Sequence, residues 1–289
     1  MNFWLTFTRT ITNQITKNME KQIRVVDKEN KIVQITTVDE RWYSKEISDP
    51  VTGIPTHLFV PSSTWICSYY PKGIAYHQWI AQKGWDKAEE IKNAAGDKGS
   101  KVHFGLEMIF DGKKLLMNDR LPSPQTGNQE EITLEEWECL MSAVRWAEAR
   151  QPQSVQGEFN VFNDKDGYAG TVDRIFVIDG KPYIVDFKTS KNIWPEHRLQ
   201  LSSYKHALIE MGMPGAKDLG MMILQVGYKL NRLGYKETEI EDKFDTFLAV
   251  KKIWADENSN EKPKQRDYPL ALEYKPKPKV EAIPSTKAK

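Results

Sequence analysis

The chain has 289 residues, enough for one large domain or two small ones, and 39% of them are hydrophobic, nine of them tryptophan. Its formal net charge is +1, so no global positive field marks a polyanionic partner, and any nucleic-acid binding must rest on local patches. Two cysteines, Cys67 and Cys139, are too few for a four-thiolate iron–sulfur or zinc site, and no apolar run reaches the ~18–20 residues needed to span a bilayer.

Residues 1–18 lack Asp and Glu, are rich in Thr and Asn, and carry Arg9 and Lys17. They read as a flexible leader or as sequence ahead of a start at Met19, with an organelle presequence as the alternative. Residues 19–60 read as short strands and turns, among them Ile23–Val26 and Ile32–Ile35, punctuated by Asp49-Pro50 and Thr52-Gly53. Residues 61–150 read as a helical subdomain. Its first helices are expected over about 74–95 and 98–110, broken near Gly96 and Gly99, and a looser stretch follows from Leu121 to Glu130. Thr133-Leu134-Glu135-Glu136 forms a capping box, after which Leu134, Trp137, Leu140, Met141 and Val144 recur at helical spacing.

The core is expected over 151–260, with strands near 154–163, 168–178 and 182–188. Pro195 suits the first turn of a helix ending near Gly212, Met221–Val226 reads as a buried strand, and Ile240, Phe244, Phe247, Leu248 and Trp254 mark a last amphipathic helix. Residues 261–289 form a basic, proline-rich tail expected to be disordered. The fold class is therefore α/β: a central mixed sheet flanked by helices, with a helical subdomain ahead of it.

The densest information lies between Gly170 and Thr189. Asp179-Gly180 separates two apolar runs, a strong hairpin pattern that pairs Ile178 with Lys181. That register sets Asp173 opposite Asp186, with Cβ atoms roughly 4.5–5.5 Å apart, where like charges repel. Lys188 falls on the same face as Asp186. Two facing carboxylates and an ammonium on otherwise apolar strands pack poorly but suit a divalent cation such as Mg²⁺ or Mn²⁺. The plainer alternative is a pair of hairpin-edge charges with Lys188 as a salt-bridge partner.

The array G-x-x-D (Gly170, Asp173), D-x-K (Asp186, Lys188) and Q-x-x-x-Y (Gln200, Tyr204) resembles the PD-(D/E)XK nuclease superfamily, in particular its RecB-like exonuclease branch. Gly99-Ser100-Lys101-Val102-His103 is similar to that branch's G-x-x-x-H motif. Glu158 matches the glutamate often found on the first core strand. Within the branch the likeness is to mitochondrial genome maintenance exonucleases and their phage counterparts, and it runs from about Thr64 to Gly212.

The resemblance implies a restriction-endonuclease-like core that hydrolyses DNA with Mg²⁺ or Mn²⁺ held by His103, Asp173, Asp186 and the backbone carbonyl of Phe187. Lys188 would stabilise charge on the phosphate, Gln200 and Tyr204 would orient the site, and Glu158 would be a ligand, a base or an ordinary strand residue. His103 read alone is a core or surface histidine. Trp194, Lys191 and Arg198 are the candidate DNA contacts. The aromatics from Trp65 to Trp85 read as core or as base-stacking surfaces. The tail lysines are either a phosphate-binding patch or merely solvated.

The substrate expected is single-stranded DNA or DNA ends, in replication, recombination or repair. Without an iron–sulfur cluster and without a P-loop, a helicase, polymerase or recombinase partner would be a separate chain. The expected setting is the cytoplasm of a bacterial or phage-infected cell, with no membrane involved. The alternatives are an endonuclease that cuts internally or at branched structures, and a DNA-binding module without catalysis.

Overall fold

A computed structural model describes residues 21–27, 32–37, 40–48 and 53–264. The leader and nearly all of the basic tail lie outside the described residues. The N-terminal strands form a four-stranded antiparallel meander of β1 (Lys21–Asp27), β2 (Ile32–Thr37), β3 (Arg41–Ser48) and β4 (Pro55–Pro61). Helix α1 (Ser63–Ser68) follows at once, capped by the Ser62 hydroxyl, which accepts from the Trp65 N–H at 3.0 Å.

Helices α2 (Ile74–Lys83) and α3 (Trp85–Phe110) meet at Gly84, not near Gly96 and Gly99 as the sequence suggests. Gly84 has φ +79, a positive-φ conformation that glycine adopts without strain. Gly96 and Gly99 stay inside α3. A helical glycine costs about 1 kcal/mol relative to alanine, and the burial of Val102 and Leu106 beyond them outweighs that. The stretch read as loose contains a small pair, β5 (Arg120–Pro122) and β6 (Gln129–Glu131). Helix α4 (Leu134–Arg150) begins with the expected reciprocal cap between Thr133 and Glu136.

The central sheet has five strands in the order β13-β12-β11-β10-β7. These are β7 (Gln153–Gln156), β10 (Arg174–Ile178), β11 (Lys181–Lys188), β12 (Gly220–Val226) and β13 (Tyr235–Glu239). β11 and β12 are parallel, joined by the crossover helix α5 (Pro195–Glu210), and the other neighbours are antiparallel. The run expected over 154–163 breaks at Gly157-Glu158 and the run over 168–178 breaks at Asp173. The freed segments pair separately as β8 (Phe159–Asn163) and β9 (Tyr168–Val172). The last helix is α6 (Phe244–Glu257), with Ile240 ahead of it rather than inside.

Strand alternation divides the core between the two faces of the sheet. Ile175, Ile184, Met221 and Ile223 pack with α1, α5 and α6. Phe176, Val185, Phe187, Met222 and Leu224 pack against Val102 and Leu106 of α3 and Leu140, Ala143 and Trp146 of α4. Helices α1, α5 and α6 on one side and α3 and α4 on the other thus cover a mixed sheet, the α/β arrangement expected. Among the described residues no helix is long and apolar enough to cross a membrane.

A buried lysine ties α3 to the start of α4. Lys101 Nζ lies 2.8 Å from Glu136, 3.3 Å from Glu130 and 3.5 Å from Asp97. Burial works against its charge, but these carboxylates outweigh that and hold Lys101 above its ordinary pKa. Removing one partner of a buried ion pair leaves the others desolvated without compensation. Lys101→Met should therefore cost about 3 kcal/mol of stability, read as a lowered urea midpoint. Because the folded pKa is raised, the wild-type margin should be full below about pH 10 and shrink as pH rises through the folded value.

Candidate active site

The site grows from the β10–β11 turn. Asp179 and Gly180 both have positive φ (50° and 78°), the conformation of a two-residue type I′ hairpin loop. That turn pairs Ile178 with Lys181, and the ladder continues in register to Arg174 with Val185. The next step would set Asp173 level with Asp186, but the ladder stops one pair short. Asp173 Oδ2 instead accepts the Phe187 N–H at 2.8 Å, so the carboxylate itself closes the hairpin end. Arg174, the first residue of β10, is buried and anchored to Asp111 at 2.7 Å and Ser154 at 2.8 Å, which fixes where the strand begins.

Three elements supply the remaining groups. His103 of α3 places Nδ1 3.3 Å from Asp173 Oδ2. Lys188, at the end of β11, places Nζ 2.6 Å from Asp186 Oδ2. Gln200 and Tyr204 lie one turn apart on α5. The Gln200 Oε1 accepts from Lys188 at a long 3.5 Å, while its Nε2 donates to the Tyr204 hydroxyl at 2.6 Å and to Thr64 Oγ1 of α1 at 3.3 Å. The amide orientation is thereby set by two acceptors, leaving the carbonyl for the ammonium. Sequence reading gave Thr64 no role, since its partner is 136 residues away.

The two carboxylates differ in environment. Burial raises the Asp173 carboxyl, but His103, Lys188 and the Phe187 N–H overcome this and hold it below the ordinary value. Asp186 is raised, mainly by burial and then by the nearby Asp173 charge, with Lys188 opposing. Burial also disfavours the charged forms of His103 and Lys188. Asp173 outweighs it for His103, and Asp186 with Asp173 for Lys188, so both cations are favoured. Tyr204 is pushed far up by burial and stays a neutral phenol.

One atom is left incomplete. Asp186 Oδ2 is buried without a hydrogen-bond partner, because the close Lys188 ammonium lacks hydrogen-bond geometry. Among the described residues, no group of three or more His, Cys, Asp or Glu side chains forms a ready-made metal cage. Two carboxylates supplemented by carbonyl, water and phosphate oxygens are nevertheless a donor set that fits Mg²⁺, which keeps several of its waters.

The other sequence candidates are not among the groups in contact there. Glu158 sits in an exposed bend between β7 and β8, not on a strand. Lys191, Trp194 and Arg198 are exposed on the loop after Lys188 and the first turn of α5. Of the aromatic stretch, Trp65, Tyr69 and Tyr70 pack against the core, whereas α2 has no buried residue and Trp85 is 66% exposed. Both cysteines are buried thiols, pushed up by burial to about 12 for Cys67 and about 11 for Cys139.

The first glycine of G-x-x-D has a geometric reason. A Cβ built on Gly170 would stand 2.3 Å from Tyr204 Cε1, so only glycine lets the phenol ring lie across β9. Gly170→Ala should therefore displace Tyr204 from Gln200 and destabilise the protein by about 1–3 kcal/mol, detectable as a lower thermal midpoint.

No curated protein matches the chain. A family model described as PD-(D/E)XK nuclease superfamily matches residues 75–268, a span that takes in His103, both aspartates, Lys188, Gln200 and Tyr204. The five-stranded mixed sheet with helices on both faces agrees with the restriction-endonuclease-like core of that superfamily, whose members are nucleases that generally use divalent metal ions such as Mg²⁺. The chain belongs to the PD-(D/E)XK nuclease superfamily.

Proposed function

We propose that this protein is a divalent-metal-dependent deoxyribonuclease of the RecB-like branch, an exonuclease that acts on single-stranded DNA or on DNA ends. The observation that carries the reading is the buried Asp186 Oδ2 without a hydrogen bond, beside Asp173 and Lys188 at one end of the central sheet. Asp173, Asp186, His103 and the carbonyl of Phe187 are the groups assigned to the cation. A divalent ion bound there supplies Lewis-acid polarisation of the phosphoryl oxygen and lowers the pKa of its bound water.

The protein's own residues do the rest. Lys188 is kept protonated by its two carboxylate neighbours, so its ammonium is available to the negative charge that grows on the scissile phosphate. Gln200 accepts from Lys188, and Tyr204 and Thr64 hold Gln200. Lys191 and Arg198 would meet the phosphate backbone of the incoming strand, and Trp194, 51% exposed, offers a face for base stacking. Sequence resemblance to the RecB-like branch supports the exonuclease over an internal cutter, and the exposed aromatics favour a single strand.

Asp186→Asn and Lys188→Ala should each lower the Mg²⁺-dependent release of nucleotides by about a hundredfold or more, measured on end-labelled DNA. Full activity in either variant would refute the assignment. With wild-type protein, a linear single strand should be degraded while a circular one of the same sequence persists. Loss of the circle would point to an endonuclease.

A further inference from the structure

Met221 and Ile223 of β12 face the α5 side of the sheet within the apolar cluster there. Strand alternation puts Gln225 next in the same stripe, where a third apolar side chain would complete it. A primary amide is buried there instead, 2% exposed, as the ladder partner of Lys188. A buried amide costs free energy unless its polar groups are bonded. Gln225 Nε2 donates to the Ser190 carbonyl at 2.9 Å and to the Lys191 carbonyl at 2.8 Å, so both of its hydrogens are used.

Those carbonyls belong to the loop that leaves the sheet after Lys188. β11 ends at that residue, so the loop's backbone has no ladder to hold it. The loop turns Ile193 into the core and delivers Trp194 to the start of α5, half exposed. We infer that Gln225 is a positioning residue of the nuclease site: it clamps the loop of residues 189–194 so that Lys191 and Trp194 face the substrate strand beside Lys188. Gln225 does not touch the reacting phosphate. Lys188 is held separately by Asp186 and Gln200, so the clamp acts on strand binding more than on the chemical step. The inference rests on the nuclease reading above.

The test uses the full chain with fluorescein-labelled oligothymidylate, hydrolysed in Mg²⁺ and, separately, bound in EDTA. Gln225→Met keeps the side-chain length and suits the apolar stripe, while Gln225→Glu keeps the shape and removes both donors. Each should raise KM and Kd about tenfold, as expected for lost hydrogen bonds of ordinary strength, with kcat changed less than about threefold. In a Trp194→Ala background the same substitutions should add clearly less than they do alone, because only the share that acts through Lys191 is left to lose. Unchanged KM and Kd, or an undiminished effect in the Trp194→Ala background, would overturn the inference.

One measurement needs no variant. The Gln225 side-chain amide protons should exchange slowly with solvent in the wild-type protein, and fast exchange would also overturn the clamp. Cleavage with unaltered variant kinetics sinks this inference alone. A wild-type protein that neither binds nor cleaves the oligonucleotide sinks the nuclease reading and the clamp together.

Discussion

Two carboxylates cannot be drawn into the end of a buried hairpin unless something answers their charge, and the middle of this protein is organised around that requirement. Asp173 is answered by an imidazole from one helix and by a backbone N–H from the facing strand. Asp186 is answered by a lysine two residues further along its own strand, whose ammonium stands close to Oδ2 without giving that buried oxygen a hydrogen bond. The asymmetry separates the two acids: one is held ionised and the other is pulled toward neutrality. The tight turn brings both to one end of the hairpin, and the helices on either face are placed to supply the compensating groups.

Much of this was legible in the sequence where the cause is local. The Asp179-Gly180 turn reads correctly because both residues must take positive φ, and a period of two then carries the register to Val185. The capping box at Thr133 and the proline opening α5 are local for the same reason. The resemblance to the superfamily's motifs also brings His103, Gln200 and Tyr204 into one site reading, and the structure places them around the hairpin end.

The illegible parts have distant causes. No pattern near Asp173 says that β9 must end before it; that is decided by a bond to Phe187 and by the anchoring of Arg174 to Asp111, 63 residues away. Three glycines compete to break the helices after residue 74, and packing between α3 and α4, not propensity, selects Gly84. Thr64 and Gln225 look like ordinary polar residues until their partners on α5 and in the 189–194 loop are known. Glu158 has a motif position to recommend it, yet it sits in a bend, exposed and off the strand.

The contact between α1 and α5 carries a practical meaning. Thr64 holds Gln200, and its neighbour Ser63 shares a buried 2.5 Å hydrogen bond with Ser203 of the same helix. Both residues precede residue 75, where the match to the family model begins. A fragment cut at that boundary would retain every motif residue and still lose two of the fixings that keep α5 in place. The span matched by the family model is thus smaller than the unit that is mechanically whole, and in this chain the difference includes at least one helical turn that no motif marks.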